Sequence, residues 1–136
     1  MNKVLANKVL RFVLSAIAVV ALLTGINVLV GGASAVPGAG EPLDPAVDNE
    51  LRFFSVFWVA YGAFSFWVAK NIKQQMHFVP MLAVIFLLGG FARLLSVFSL
   101  GLAHPILTAA MLLEFVLPIL IFYLYRKQQG IFEQAP

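Results

Sequence analysis

The sequence predicts an all-α fold, an integral membrane bundle of four transmembrane helices with N-terminus and C-terminus cytoplasmic. Three observations lead there. Hydrophobic residues fill 62% of the 136 positions and charged residues only 11%, whereas a soluble domain is closer to half apolar and a quarter charged. One small core cannot absorb that excess, because a domain of this size leaves much of its chain at the surface. Four separate runs approach the roughly 20 apolar residues that a spanning helix needs. The basic residues gather in three small groups beside those runs, as topology signals do. A soluble enzyme, a nucleic-acid binder and a disordered tail are thereby excluded.

The first span is predicted over Leu10–Val30, interrupted only by Arg11, Ser15, Thr24, Gly25 and Asn27. Lys3, Lys8 and Arg11 before it, with Ala33-Ser34-Ala35 after it, resemble a signal peptide. The apolar region is longer than a signal core and the small-residue site lies far beyond its centre, so a retained span is the expectation. Residues 31–51 then form a connection rich in Gly, Ala and Pro. Pro37, Pro42 and Pro45 are expected to exclude a regular helix there, with Asp48 or Asn49 capping the next one.

The second span is predicted over Phe53–Ala69, the third over Phe78–Gly101 and the fourth over Pro105–Tyr125. Pro105 suits a first helical position. The very short turn around His104 makes the last two spans an antiparallel neighbouring pair. Lys3, Lys8 and Arg11, then Lys70 and Lys73, then Arg126 and Lys127 all fall on one predicted side. Glu41, Asp44, Asp48 and Glu50 fall on the other, and only Arg52 runs against the trend. Excess Lys and Arg mark the cytoplasmic side, so the acidic connection is expected outside. Trp67, Tyr123 and Tyr125 are expected at the inner interface. The chain is read as a single four-helix domain over residues 1–136.

Ionisable residues deep in a span are costly and therefore informative. Arg93 lies roughly 12 Å inward from Gly101, and Glu114 roughly 14 Å inward from Pro105 on the neighbouring helix, at 1.5 Å of rise per residue. Side chains lean toward the N-terminus of their helix, which turns the two heads toward each other, and an ion pair is expected. Its role is open between a structural lock and a functional pair. Asn27, Glu50, Arg52 and Tyr61 complete the polar cluster expected in the outer half, with Tyr61 level with the pair. Two stripes are read on the second span: Glu50, Phe54, Phe57, Tyr61 and Ser65, and Arg52, Ser55, Val59 and Gly62. The inner half offers almost no comparable groups, so a pocket is expected to open outward. Gly62, Gly89 and Gly90 are read as helix-packing positions.

The absence of cysteine removes disulfides, thiolate nucleophiles and Cys-ligated metals from consideration. His77 and His104 stand alone at opposite faces, so no metal site and no cofactor are expected. The net charge of +3 is spread over three groups and argues for no nucleic-acid partner.

Asp48-Asn49-Glu50-Leu51-Arg52-Phe53-Phe54, followed by Trp58, Tyr61 and Gly62, resembles the opening of a bacterial four-span family catalogued as domain of unknown function 4345. Gly89-Gly90-Phe91-Ala92-Arg93-Leu94-Leu95-Ser96, then Gly101 and Pro105, is similar to its third-span signature. Leu113-Glu114 and Thr24-Gly25 fit its last and first spans. The resemblance covers nearly the whole chain and implies fold, topology and a bacterial source. It implies no activity.

The leading expectation is a small inner-membrane protein without catalysis. It would bind a lipid or other amphipathic ligand, or a membrane partner, through the outer polar cluster, where Arg52 and Arg93 suit an anionic headgroup. Its expected partners are membrane lipids, with a membrane protein or a homo-oligomer also allowed. Ion- or proton-coupled transport as an oligomer is the alternative, since Glu114 is the only deep carboxylate, although Arg93 should hold it ionised. A lipid-modifying enzyme using Glu114 and Tyr61 is the third reading. It lacks a recognisable acid–base arrangement.

Overall fold

The computed structural model describes residues 3–129, and all regular structure within them is helical. Helix α1 spans Lys3–Gly31 and runs into a 3₁₀ turn over Gly32–Ala35. Helix α2 spans Pro45–Lys70. A short helix α3, Ile72–Gln75, and a 3₁₀ turn over Met76–Phe78 lead to α4, Val79–Leu100. Helix α5 covers Pro105–Gln129. Four helical segments are long and apolar enough to cross a membrane, and the chain is a membrane protein.

The four spans fall where hydropathy puts them, but α2 begins eight residues before Phe53. The expectation that Pro45 excludes a helix is wrong, because proline at the first helical position sacrifices a donor that has no helical partner anyway. Neither Asp48 nor Asn49 is the cap. Asp44 is, its carboxylate accepting from the amides of Ala46 at 2.7 Å and Val47 at 3.4 Å. At the other end of α2, Asn71 closes the helix, donating from its amide and its side chain to the Trp67 carbonyl. Helix α4 stops at Gly101, whose φ of 86° is a conformation that glycine adopts at little cost. Helix α5 starts at Pro105, where the His104 ring accepts from the Ile106 amide at 3.3 Å.

Helices α1 and α2 form one antiparallel hairpin and α4 and α5 the other. The hairpins join through α1 on α5 and a narrower contact of α2 with α4. One end of the bundle thus carries Lys3 and Gln129, the terminal end; the opposite, loop end carries residues 32–44 and the α4–α5 turn. Glycines allow the α1–α2 approach. A Cβ on Gly62 would stand 3.0 Å from the Ala18 carbonyl and Leu22 amide nitrogen, and one on Gly25 would stand 2.8 Å from Val59.

The core occupies the terminal half. Leu10, Leu14 and Ala21 of α1 are fully buried in one cluster with Val68, Val79, Leu82 and Leu124. On α4 burial ends at Gly90, so the loop ends of α4 and α5 are less enclosed. Phe12, Val30, Phe98 and Ile119 are each more than 70% exposed. Apolar surface of that extent belongs against lipid rather than water.

The buried face of α2 cuts across the two expected stripes. It takes Tyr61 and Ser65 from one and Ser55 and Gly62 from the other, while Glu50, Phe54 and Phe57 point away from the bundle. The 3.6-residue turn allows both groupings, and the glycine contacts with α1 decide between them.

Candidate functional site: the loop-end groove between α4 and α5

Arg93 of α4 reaches Glu114 of α5 through a single nitrogen. Its Nε lies 2.9 Å from Oε2 and 3.1 Å from Oε1. Neither terminal amino group of the guanidinium has a hydrogen-bond partner among the described residues. Burial of the two partners is unequal: the Glu114 side chain is 6% exposed and that of Arg93 40%. The carboxylate is thus held inside, and the guanidinium extends from it toward the surface.

Local sequence places Glu114 there. Gly90 of α4 presents bare backbone, so that a Cβ on it would meet the Glu114 Cβ at 3.1 Å. Gly89 faces the carboxylate itself, where an added Cβ would stand 3.7–3.8 Å away. Pro118, fully buried in α5, lacks the N–H that would close the helical hydrogen bond to the Glu114 carbonyl. The backbone is therefore weakened at the residue that carries the charge.

Arg93 also lines a cavity of about 120 Å³ with Ser96, Val97, Ala103, Leu107, Thr108 and Met111. The cavity lies between the loop ends of α4 and α5. Ser96 and Thr108 supply hydroxyls and the other four an apolar wall. It is too small for a whole lipid, since sites that enclose drug-sized ligands run from about 300 Å³ upward. A charged headgroup fits while the remainder of the ligand lies along the bundle.

The other expected members of the cluster stand elsewhere. Arg52 is bound to its own hairpin: Nε donates to Asp48 at 2.7 Å, and Nη1 donates to the Leu29 and Val30 carbonyls at 2.9 Å each. Those carbonyls end α1 and have no helical donor. Asp48 in turn accepts from the Ala33 amide at 2.8 Å. This clamp requires Gly32, whose φ is 60° and on which a Cβ would lie 1.8 Å from the Asp48 carboxylate. Asn27 makes one long contact, 3.5 Å from its side-chain nitrogen to the Ala35 carbonyl. Glu50 is exposed, without an ionic partner among the described residues.

Tyr61 is not level with the pair. Its hydroxyl donates to the Leu82 carbonyl at 3.0 Å, and Leu82 precedes Arg93 by roughly 16 Å of rise along α4. Its ring stacks with Trp58 and Phe86. Because α2 starts earlier and closes against α4, Tyr61 belongs to the core layer that joins the hairpins. The expectation that a pocket opens only toward the loop end is also overturned. A larger cleft lies at the terminal end, lined by side chains from α1, α3 and α5.

Two contacts escaped the sequence reading. Asp48 and Arg52 stand four residues apart, the spacing of an ion pair on one helix, and that signal was visible. Trp58 donates to the Thr24 hydroxyl at 2.8 Å, a contact with no local signal because it links two helices.

The family described as Domain of unknown function (DUF4345) matches residues 9–125. Among curated proteins and solved structures, none matches the chain.

Proposed function

The chain belongs to the DUF4345 family, whose description assigns no activity, and we propose from the site geometry that it is a ligand-binding membrane protein without catalysis. It holds the anionic headgroup of a lipid or similar amphiphile in the groove between the loop ends of α4 and α5. Arg93 is the anchor and Glu114 its positioning partner. The chain sits in the inner membrane of a bacterium, with both termini in the cytoplasm and the groove opening to the outer leaflet.

One observation carries this reading. Arg93 spends only Nε on Glu114, so its terminal amino groups face a groove that has two hydroxyls and an apolar wall. A guanidinium is suited to paired hydrogen bonds with phosphate or carboxylate, and in a bilayer such a head comes attached to an apolar chain. The exposed Leu95, Phe98 and Ile106 near the groove give that chain a surface.

The test is co-purification in nanodiscs followed by mass spectrometry of extracted amphiphiles. The wild-type chain is expected to enrich one anionic species, and Arg93→Gln to lose it. Arg52→Gln, which breaks the clamp outside the groove, should keep it. Equal profiles for wild type and Arg93→Gln would refute the reading.

A further inference from the structure

The terminal-end cleft has a cavity of about 310 Å³ lined by Lys3, Asn7, Lys8, Arg11, Lys73 and Gln128. Residues 3, 7, 8 and 11 share one face of α1, by the three- and four-residue spacing of a helix. Lys73 comes from α3, and Gln128 from the last turn of α5. The Gln128 side chain donates to the Lys3 carbonyl at 3.0 Å, fixing the ends of α1 and α5 together and forming one wall.

Four cations therefore meet at one cleft. None of them makes a salt bridge among the described residues. The described acidic residues, at 41, 44, 48, 50 and 114, all lie elsewhere. Like charges brought together repel, and no described carboxylate stands here to offset them. Asn7 adds a second polar feature, since its side-chain oxygen is buried with no hydrogen-bond partner. An anion that also carries a hydroxyl would satisfy both.

We propose that this cleft binds the phosphate of an anionic phospholipid headgroup. Arg11 gives a planar fork for phosphate oxygens, and the lysines add point charges. The Asn7 amide takes a headgroup hydroxyl. Exposed Leu5 and Phe12 on α1 provide apolar surface for the acyl chains beside the cleft, which a free phosphate would not use. Basic pockets between spanning helices hold lipid headgroups by this chemistry. The site is at the opposite end from Arg93 and stands independently of the groove.

Native mass spectrometry of the full chain released from nanodiscs tests it. Discs of phosphatidylcholine alone are compared with discs that also contain phosphatidylglycerol. Phosphatidylglycerol is expected to stay bound, and Lys8→Gln or Lys73→Gln each to weaken retention about five-fold. Asn7→Ala should weaken it with no change in charge, and Lys8→Arg should preserve it. Arg126→Gln and Lys127→Gln lie at the same end outside the cleft, and should change it far less. Equal losses from all four charge-removing variants would overturn the site in favour of general surface attraction. Displacement of the lipid by inorganic phosphate or glycerol phosphate at matching concentration would overturn the lipid assignment. Arg93→Gln should leave this signal intact, which separates its failure from that of the groove.

Discussion

Arg93 and Glu114 share one contact but differ in what each would do alone. The Glu114 carboxylate is almost fully enclosed, whereas Arg93 is 40% exposed. Removing Arg93 strands a buried charge, which costs about 3–5 kcal/mol in fully buried pairs. Removing Glu114 frees a guanidinium that can extend toward polar surroundings. Arg93→Gln is therefore expected to destabilise by about 2–3 kcal/mol and Glu114→Gln by clearly less, as read by unfolding in detergent. The charge-swapped double variant should recover part of the loss. Equal losses in both singles, with no recovery in the swap, would show that the two groups are not coupled. The glycines offer a sharper contrast. Gly62→Ala forces a methyl to 3.0 Å from α1 backbone and is expected to cost about 1–3 kcal/mol. Gly89→Ala meets nothing closer than 3.7 Å and should be near neutral. The paired charges were legible in the sequence because helical rise and side-chain lean are local rules. The free face of Arg93 was not, since it depends on which nitrogen Glu114 accepts from.

Each helix end is set by a few polar atoms rather than by hydropathy, and errors in reading the elements concentrate there. Apolar runs located all four spans. They missed the start of α2 because Pro45 reads as a breaker in a loop and as a starter in a helix, and the two differ only by Asp44 before it. Asp44→Ala is expected to cost about 1 kcal/mol and to fray α2 back toward Asp48, visible as faster amide exchange over residues 46–50. The Asp48–Arg52 spacing was legible, but its target was not. Arg52 caps α1 only because Gly32 turns the chain with a positive φ, and no side-chain pattern announces that turn. Gly32→Ala should therefore loosen the contacts of Arg52 with Leu29 and Val30 as much as Asp48→Ala does. Matching rises in exchange over the last turn of α1 would bear this out; a change in only one variant would contradict it. In α5, Pro118 lay in plain view. Its significance needed the knowledge that Glu114, four residues earlier, is the residue whose carbonyl loses a donor.

Across the whole molecule, charge is sorted by end. Among the described residues seven cations stand at the terminal end, and four carboxylates with Arg52 at the loop end, the Arg93–Glu114 pair lying between them. That sorting predicts orientation in the membrane, and the absence of cysteine makes it simple to test. Ser34→Cys should react with an impermeant thiol reagent from outside intact cells, and Gln74→Cys only after lysis. The reverse pattern would invert the groove and the basic cleft together. The division of the polar residues into a clamp, a core layer and a groove was illegible in the sequence, because depth along a helix does not say which neighbour a side chain meets. Tyr61 shows this most clearly, near Arg93 by count but bonded to Leu82. The guanidinium of Arg93 has two different environments, one against Glu114 and one open to the groove, and ¹⁵N spectroscopy of the Arg93 side chain in nanodiscs reads them separately. Addition of phosphatidic acid is expected to shift the Nη signals while Nε, held by Glu114, stays nearly fixed. Nη signals that do not respond to phosphatidic acid would rule out headgroup binding at Arg93.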